Sequence, residues 1–327
     1  MCAAETHGGQ PPQRVREWAA QRQAHRQARD FAAADGLRDR IDGAGWLVTD
    51  APQGQVLTPK PAFSTMPASS VPDRRDQPDA VDVSVLVLIE GHGLSPTPDW
   101  VLADAQRAVR SVLTRTGPQV SFEVVILDDG VGGEAGAWAA DMARNPGITA
   151  YHLAQPLGFV QARALQQRAA RGRILLWLDT GVELVGDVLG DVLAVLDDDS
   201  IGAVGRWGAD LGHSLWHFDE VPATPGPRDA HAVWGYLLAL RREPFCTGAV
   251  QLDEGFRFYR NADADVSFRL RAAGWRTVVV GLPAVQHVHR GYTETPKEVE
   301  QRESQRNYRR LLDRWRPQME ALLARDD

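Results

Sequence analysis

The sequence predicts an α/β protein built on a doubly wound, mostly parallel sheet, with a small helical and β-hairpin module ahead of it. Three observations carry this prediction. Val124–Gly130 reads Val-Val-Ile-Leu-Asp-Asp-Gly, an apolar, β-branched run that suits a buried parallel strand delivering Asp128 and Asp129 to the sheet edge where ligands bind. Arg173–Asp179 (Arg-Ile-Leu-Leu-Trp-Leu-Asp) repeats the design and brings Asp179 to the same edge, and a third acidic cluster follows at Asp263 and Asp265. Strand-like and helical stretches then alternate from Val81 onward, the pattern of a sheet covered on both faces.

Composition narrows the function classes. The chain has 327 residues, 43% hydrophobic and 24% charged, enough for a substantial core. A net charge of −7 argues against wholesale nucleic-acid binding. Two cysteines, Cys2 and Cys246, cannot supply a four-cysteine metal site or a disulfide framework, and free thiols in a reducing compartment are the simpler reading. The N-terminus lacks the apolar core of a signal peptide, and no stretch approaches the roughly 18–20 apolar residues of a membrane span. The expectation is a soluble cytoplasmic protein with no membrane span.

Residues 1–13 are polar and rich in Gly and Pro, and are expected to be disordered. From Arg14 to Arg40, Trp18, Ala28, Phe31, Ala34, Leu37 and Ile41 repeat at helical spacing. Gly43–Gly45 ends the helical stretch. Trp46–Asp50 and Gln55–Leu57 read as strands around a turn at Pro52–Gly54. The unit is thus a helix or helical hairpin followed by a β-hairpin. With Arg22, Ala28-Arg29-Asp30-Phe31, Ala34-Asp35, Leu37-Arg38-Asp39, Gly45, Asp50 and Gly54 in that order, residues 14–58 resemble the C-terminal tail of cysteinyl-tRNA synthetases. No synthetase catalytic signature accompanies it. Seven arginines against four acids between Arg14 and Arg40 are compatible with weak RNA contact, and a recruited helical module that packs or dimerises is the simpler alternative.

Residues 59–80 hold proline, Ser, Thr, Asp and Gln without an apolar period, and read as an exposed linker. The main domain is expected over residues 81–292, followed by a helical tail over 293–327. Val81–Ile89 is a continuous apolar strand and Asp99–Arg115 an amphipathic helix. Helices are predicted near 135–143, 160–171, 185–196, 263–273 and 296–316, and strands near 148–153, 201–205, 232–240, 276–280 and 284–289. Residues 206–232 read as loop.

A series of motifs runs through this domain: Asp128-Asp129-Gly130-Val131, Gly158 to Arg163-Ala164, Leu178-Asp179-Thr180-Gly181, Trp234-Gly235 through Arg242, Leu252-Asp253-Glu254, Ala262-Asp263-Ala264-Asp265, and His287. In order and spacing they resemble a glycosyltransferase family 2 domain of the GT-A fold. The resemblance implies an inverting transfer from a nucleotide-diphosphate sugar to a hydroxyl acceptor that it does not identify. It implies that Asp128 and Asp129 meet the nucleoside and that Arg163 grips the diphosphate. Asp179 and His287 would hold a divalent metal, Mn or Mg, against the leaving group. Asp263 would be the general base at a helix start. Trp234 or Trp216 would stack on a sugar, or equally be core aromatics.

The departures are specific. The second carboxylate of the metal motif is Gly181, the acid before the base is Ala262, the residue after Arg163 is Ala164, and the turn residue after Gly130 is Val131. Losing a carboxylate weakens hard-cation binding. Glu183 could substitute, but a solvated surface position is the simpler reading. His287 and His289 flank Val288, so only one can face the site in an extended segment. The resemblance favours His287. A degenerate fold acting as a binding or scaffold module is the alternative. A dinucleotide-binding oxidoreductase is disfavoured: Gly130-Val-Gly132-Gly-Glu-Ala135 fits the glycine pattern, but Ala150–Gly158 offers no acid for a ribose.

Overall fold

The computed structural model describes residues 10–51, 54–60, 63–92, 94, 97–212 and 217–323. The chain divides into two compact units, residues 1–64 and 65–327. The disorder expected of residues 1–13 and the turn expected at Pro52–Gly54 fall mostly outside the described residues.

The first unit is a helical hairpin joined to a β-hairpin. Helix α1 (Gln13–Gln27) and α2 (Phe31–Gly43) are separated by Arg29, whose φ of 60° turns the chain, and Asp30 caps α2 by accepting from the Ala33 amide at 3.2 Å. Strands β1 (Trp46–Ala51) and β2 (Gly54–Pro59) pair antiparallel. Val15, Ala19, Ile41 and Trp46 form the core. Arg22, 4% exposed, forks onto both carboxylate oxygens of Asp50 at 2.9 and 3.1 Å.

The second unit opens with β3 (Val81–Ile89), α3 (Trp100–Arg115), β4 (Phe122–Asp128), α4 (Gly133–Met142), β5 (Ile148–His152), α5 (Phe159–Ala169) and β6 (Gly172–Leu178). Then follow β7 (Val182–Leu184), α6 (Val188–Val195), β8 (Ile201–Gly205), β9 (Gly208–Leu211), β10 (Phe218–Val221), β11 (Arg228–Asp229), β12 (Ala232–Val233) and β13 (Leu237–Arg241). The chain closes with α7 (Glu243–Cys246), α8 (Ala262–Ala272), β14 (Arg276–Val279), β15 (Ala284–Gln286), α9 (Arg290–Thr293), α10 (Lys297–Trp315) and α11 (Met319–Leu323).

Among the described residues the main sheet has eight strands in the order β11-β14-β8-β13-β6-β3-β4-β5. Strand β13 runs antiparallel to both its neighbours, and β11 antiparallel to β14; the remaining pairs are parallel. Both faces are buried, which is why Val85–Ile89 of β3 reads as an unbroken apolar run. Val83, Val85, Val87 and Ile89 pack with α3, α4 and α6, and Leu86 and Leu88 pack with α5 and α8. Register aligns Ile89 with Asp128 and Val87 with Leu178, so Glu90, Asp129 and Asp179 emerge together at one edge.

Two expectations are corrected here. Residues 206–232, read as loop, contain β9, β10 and β11, and β9 pairs with β10 and β12 in a three-stranded sheet that buries Leu211, Val221 and Val233. Strands of two to four residues are too short to show a period. Residues 65–80, read as linker, lie along the second unit. Met66 bridges to Leu153, Val71 is buried, and the Arg74 and Ala80 amides donate to the carbonyls of Arg168 and Arg171 at 2.7 and 2.8 Å. The Arg242 guanidinium binds the Arg74 and Gln77 carbonyls and the Asp79 carboxylate. A proline-rich backbone has few donors, but its carbonyls still accept from a buried arginine.

Candidate active site

Two cavities meet at the edge where Glu90, Asp129 and Asp179 emerge. One, of about 420 Å³, is lined by Asp179, Trp207, Trp234, Tyr236, Asp263 and His289 among others. The other, of about 400 Å³, is lined by Asp129, Gly130, Arg257, Phe258 and Thr295 among others. Glu90, His92 and Tyr259 line both, so the two form one cleft with two lobes.

Asp263 stands at the start of α8, after Asn261 turns the chain at a φ of 65°. Its carboxylate accepts from the amides of Gly235 at 2.9 Å and Ala264 at 2.9 Å. Burial nevertheless pushes its pKa up to about 6, with those amides and Arg260 pulling the other way. Asp265 turns inward instead, against Arg269 and the Trp315 indole N–H, and belongs to the core.

Asp179 faces the first lobe, and its Oδ1 accepts from the Gly181 amide at 2.7 Å. Burial holds its carboxyl above the ordinary range. The metal partner expected for it is corrected: His287 lies outside the cleft, exposed, with Nε2 on Glu183 Oε2 at 2.7 Å. His289 lines the cleft instead, its ring edge-on to Tyr236 with centroids 4.8 Å apart. Burial depresses its pKa to about 4, so the ring is neutral near pH 7. Alternation does select one histidine, but the antiparallel pairing of β7 with β15 sets the phase: Val285 pairs with Glu183, which leaves His287 beside that glutamate.

The roles expected of Asp128 and Arg163 are corrected too. Asp128, 1% exposed, spends its carboxylate on the amides of Val131 and Gly132 and on His152 Nδ1. It builds the turn and faces neither lobe. The same contacts occupy the amides where a dinucleotide pyrophosphate would approach. Asp129 faces the second lobe, with its carboxylate on the Leu157 and Gly158 amides and its pKa raised by burial. Arg163, 2% exposed, lies beneath the site. Its guanidinium donates to the carbonyls of Leu86 at 2.7 Å and Leu178 at 3.5 Å. It also lies over the rings of Phe159 and Trp177, and burial lowers its pKa to about 10. It braces β3 against β6.

Trp234 lines the first lobe, with one edge against Phe218 at 5.6 Å between centroids. Trp216 lies outside the described residues. Glu90 was not singled out from sequence, although it follows a strand just as Asp129 and Asp179 do. Withdrawal from water, with Asp129 nearby, raises its pKa to about 8, so it is an uncharged carboxylic acid near pH 7. Arg257 and Arg260 flank Tyr259 at the junction of the lobes, and Arg260 pairs with Glu300 at 2.7 Å.

These residues do not make a metal site of their own. Among the described residues no group of three or more His, Cys, Asp or Glu side chains could hold an ion. A Cβ at Gly181 would stand 2.5 Å from the backbone carbonyl oxygen of Val288, so the backbone leaves no room for a second carboxylate. Asp179 and His289 are two donors, so a hard cation held there would take its remaining ligands from a diphosphate and water.

Residues 102–219 match the family model described as glycosyl transferase family 2. The crystal structure of GalNAc-T7 with UDP, GalNAc and Mn2+ shares the fold at a TM-score of 0.58 and 19% identity. That match covers 73% of this chain and 49% of that one, so the chain spans about half the length of that relative. The crystal structure of S. aureus TarS matches at a TM-score of 0.48 and 14% identity, over 64% of this chain and 37% of that one. No curated protein sequence matches the chain. No helix among the described residues is long and apolar enough to cross a membrane.

Proposed function

We propose that the second unit, whose sheet is that of a GT-A glycosyltransferase, transfers a sugar from a nucleotide-diphosphate sugar to a hydroxyl acceptor with inversion. The observation that carries this reading is Asp263. It is a carboxylate fixed by two backbone amides in a cleft, with a pKa near 6. Such a group is mostly ionised at pH 7 yet basic enough to take a proton from a hydroxyl as it attacks. The second lobe, with Asp129 and the neutral acid Glu90, has the acceptor and donor groups that a nucleobase or ribose needs. The diphosphate then belongs at the junction, where Arg257 and Arg260 supply positive charge for the leaving group. The aromatic wall of Trp207, Trp234 and Tyr236 suits a sugar face in the first lobe.

No step here runs through a metal; a cation at Asp179 would take most of its ligands from the diphosphate and water. Calorimetric titration of UDP and of GDP, with and without Mn2+, tests the reading. Binding of either nucleotide, abolished or weakened by Asp129→Ala, is the expected result, and no binding under any condition would overturn it. The absence of a second metal carboxylate favours one other reading, a fold that binds a donor without turning it over. Sugar transfer that Asp263→Asn abolishes would exclude it. The first unit is read as a docking module for RNA or a protein partner, and loss of a partner on deleting residues 1–60 is the result that reading requires.

A further inference from the structure

One face of α3 carries groups that an ordinary packing helix would not bury. Trp100, Asp104, Arg107 and Ser111 recur at i, i+4, i+7 and i+11, one stripe of the helix. Asp104 is 3% exposed and Ser111 5%. A buried carboxylate costs stability unless charged donors meet it, and here two arginines do. Asp104 Oδ1 accepts from Arg107 Nη2 at 2.7 Å, and its Oδ2 from Arg290 Nε at 3.0 Å. Arg107 Nη2 also donates to the Thr180 carbonyl at 3.3 Å, one residue beyond Asp179. Ser111 Oγ accepts from the Leu184 amide at 3.0 Å, at the end of β7, the strand that follows the Asp179 turn. Arg290 follows His289 directly and lies over the Trp100 ring, 4.6 Å from its centroid.

Apart from Ser111 Oγ, which donates to the Ala108 carbonyl, and the Trp100 ring, which also lies beside that of His92, the stripe's contacts beyond itself end on one of two segments, the Asp179 turn with the strand that follows it or the segment that carries His289. The two segments are also joined to each other, through β7 and β15 and through the His287 amide on the Gly181 carbonyl at 2.9 Å. We infer that the polar stripe of α3 is a positioning device, with Asp104 as the shared anchor that sets Asp179 and His289 against each other across the cleft. Asp104 touches no substrate and acts through Arg107 and Arg290. Its catalytic consequence rests on the glycosyl-transfer reading; its geometric consequence does not.

The test uses the full chain. Asp104→Asn keeps the shape and removes the charge that holds both arginines. Amide and imidazole resonances are compared with wild type, and UDP is titrated into both. The expected result is displaced signals for Gly181 and His289, unmoved amides in β4 and β5, and UDP affinity reduced about 10-fold or more by misplacement of the cleft. Unmoved Gly181 and His289 signals in the folded variant would overturn the inference. So would shifts spread over the whole sheet with a broadened melting transition, the mark of a merely structural residue. Should Asp104→Asn not fold, Arg107→Lys carries the same criteria, because it keeps the charge but cannot span Asp104 and the Thr180 carbonyl. A wild-type protein that binds no UDP would sink the glycosyl-transfer reading and leave the resonance criterion standing.

Discussion

A Cβ on Gly181 would stand 2.5 Å from the carbonyl oxygen of Val288. The turn after Asp179 and the segment before His289 are packed so closely that only a glycine fits between them. The missing second carboxylate is thus built into the backbone and is not a simple surface loss. Gly181→Asp is expected to destabilise the fold by about 1–3 kcal/mol through overpacking, without creating Mn2+-dependent nucleotide binding. A melting curve with and without Mn2+ reads both. A variant as stable as wild type that gains metal-dependent binding would show that the turn can open.

Asp263→Asn keeps an acceptor for the Gly235 amide but cannot take a proton. Turnover is expected to fall by about 100- to 10,000-fold with melting little changed. In wild type, kcat/KM should fall with acid as Asp263 is protonated, with an inflection near the pKa of about 6. Activity that stays flat from about pH 8 to pH 5 would remove Asp263 from the role of base.

The two histidines separate cleanly. His289→Ala should weaken nucleotide-sugar turnover strongly, because the ring lies edge-on to Tyr236 inside the cleft. His287→Ala removes only an exposed contact to Glu183, a type of pair worth about 0–1 kcal/mol, and should leave turnover within about twofold. The reverse pattern would restore the histidine choice that the motif resemblance favours.

Glu90 makes a stability prediction whose sign follows from linkage. Its folded pKa of about 8 lies above the ordinary 4.5, so the folded state holds a proton that the unfolded chain releases earlier. The stability this contributes is fully present below the unfolded value and is lost as pH rises through about 8. The melting temperature of wild type should therefore drop between about pH 5 and pH 8.5 more steeply than that of Glu90→Gln, which should be the more stable protein at the alkaline end. Parallel curves would show that Glu90 titrates normally.

Arg163→Met is expected to cost stability. The Leu86 and Leu178 carbonyls lose a buried donor, about 1–3 kcal/mol for each acceptor left unmet. If the variant melts like wild type but loses nucleotide affinity, the guanidinium reaches the ligand after all.

The strands that deliver the acids were legible in the sequence because a strand buried on both faces must be apolar along its whole length. Val81–Ile89, Val124–Gly130 and Arg173–Asp179 show that pattern without help from anything distant, and so does the glycine stop of the N-terminal helices. The sequence by itself therefore determined the sheet, the edge that carries Asp129 and Asp179, and the helix start that carries Asp263. Local sequence holds no record of pairing between β7 and β15, and that pairing decided which histidine enters the cleft. It also holds no record of what a buried polar group will meet. The carbonyls above Arg163 made it a brace, and the amides of the following turn consumed Asp128. Glu90 and the α3 stripe became part of the site for the same reason: contacts made across long stretches of chain gave these polar side chains their partners and their protonation.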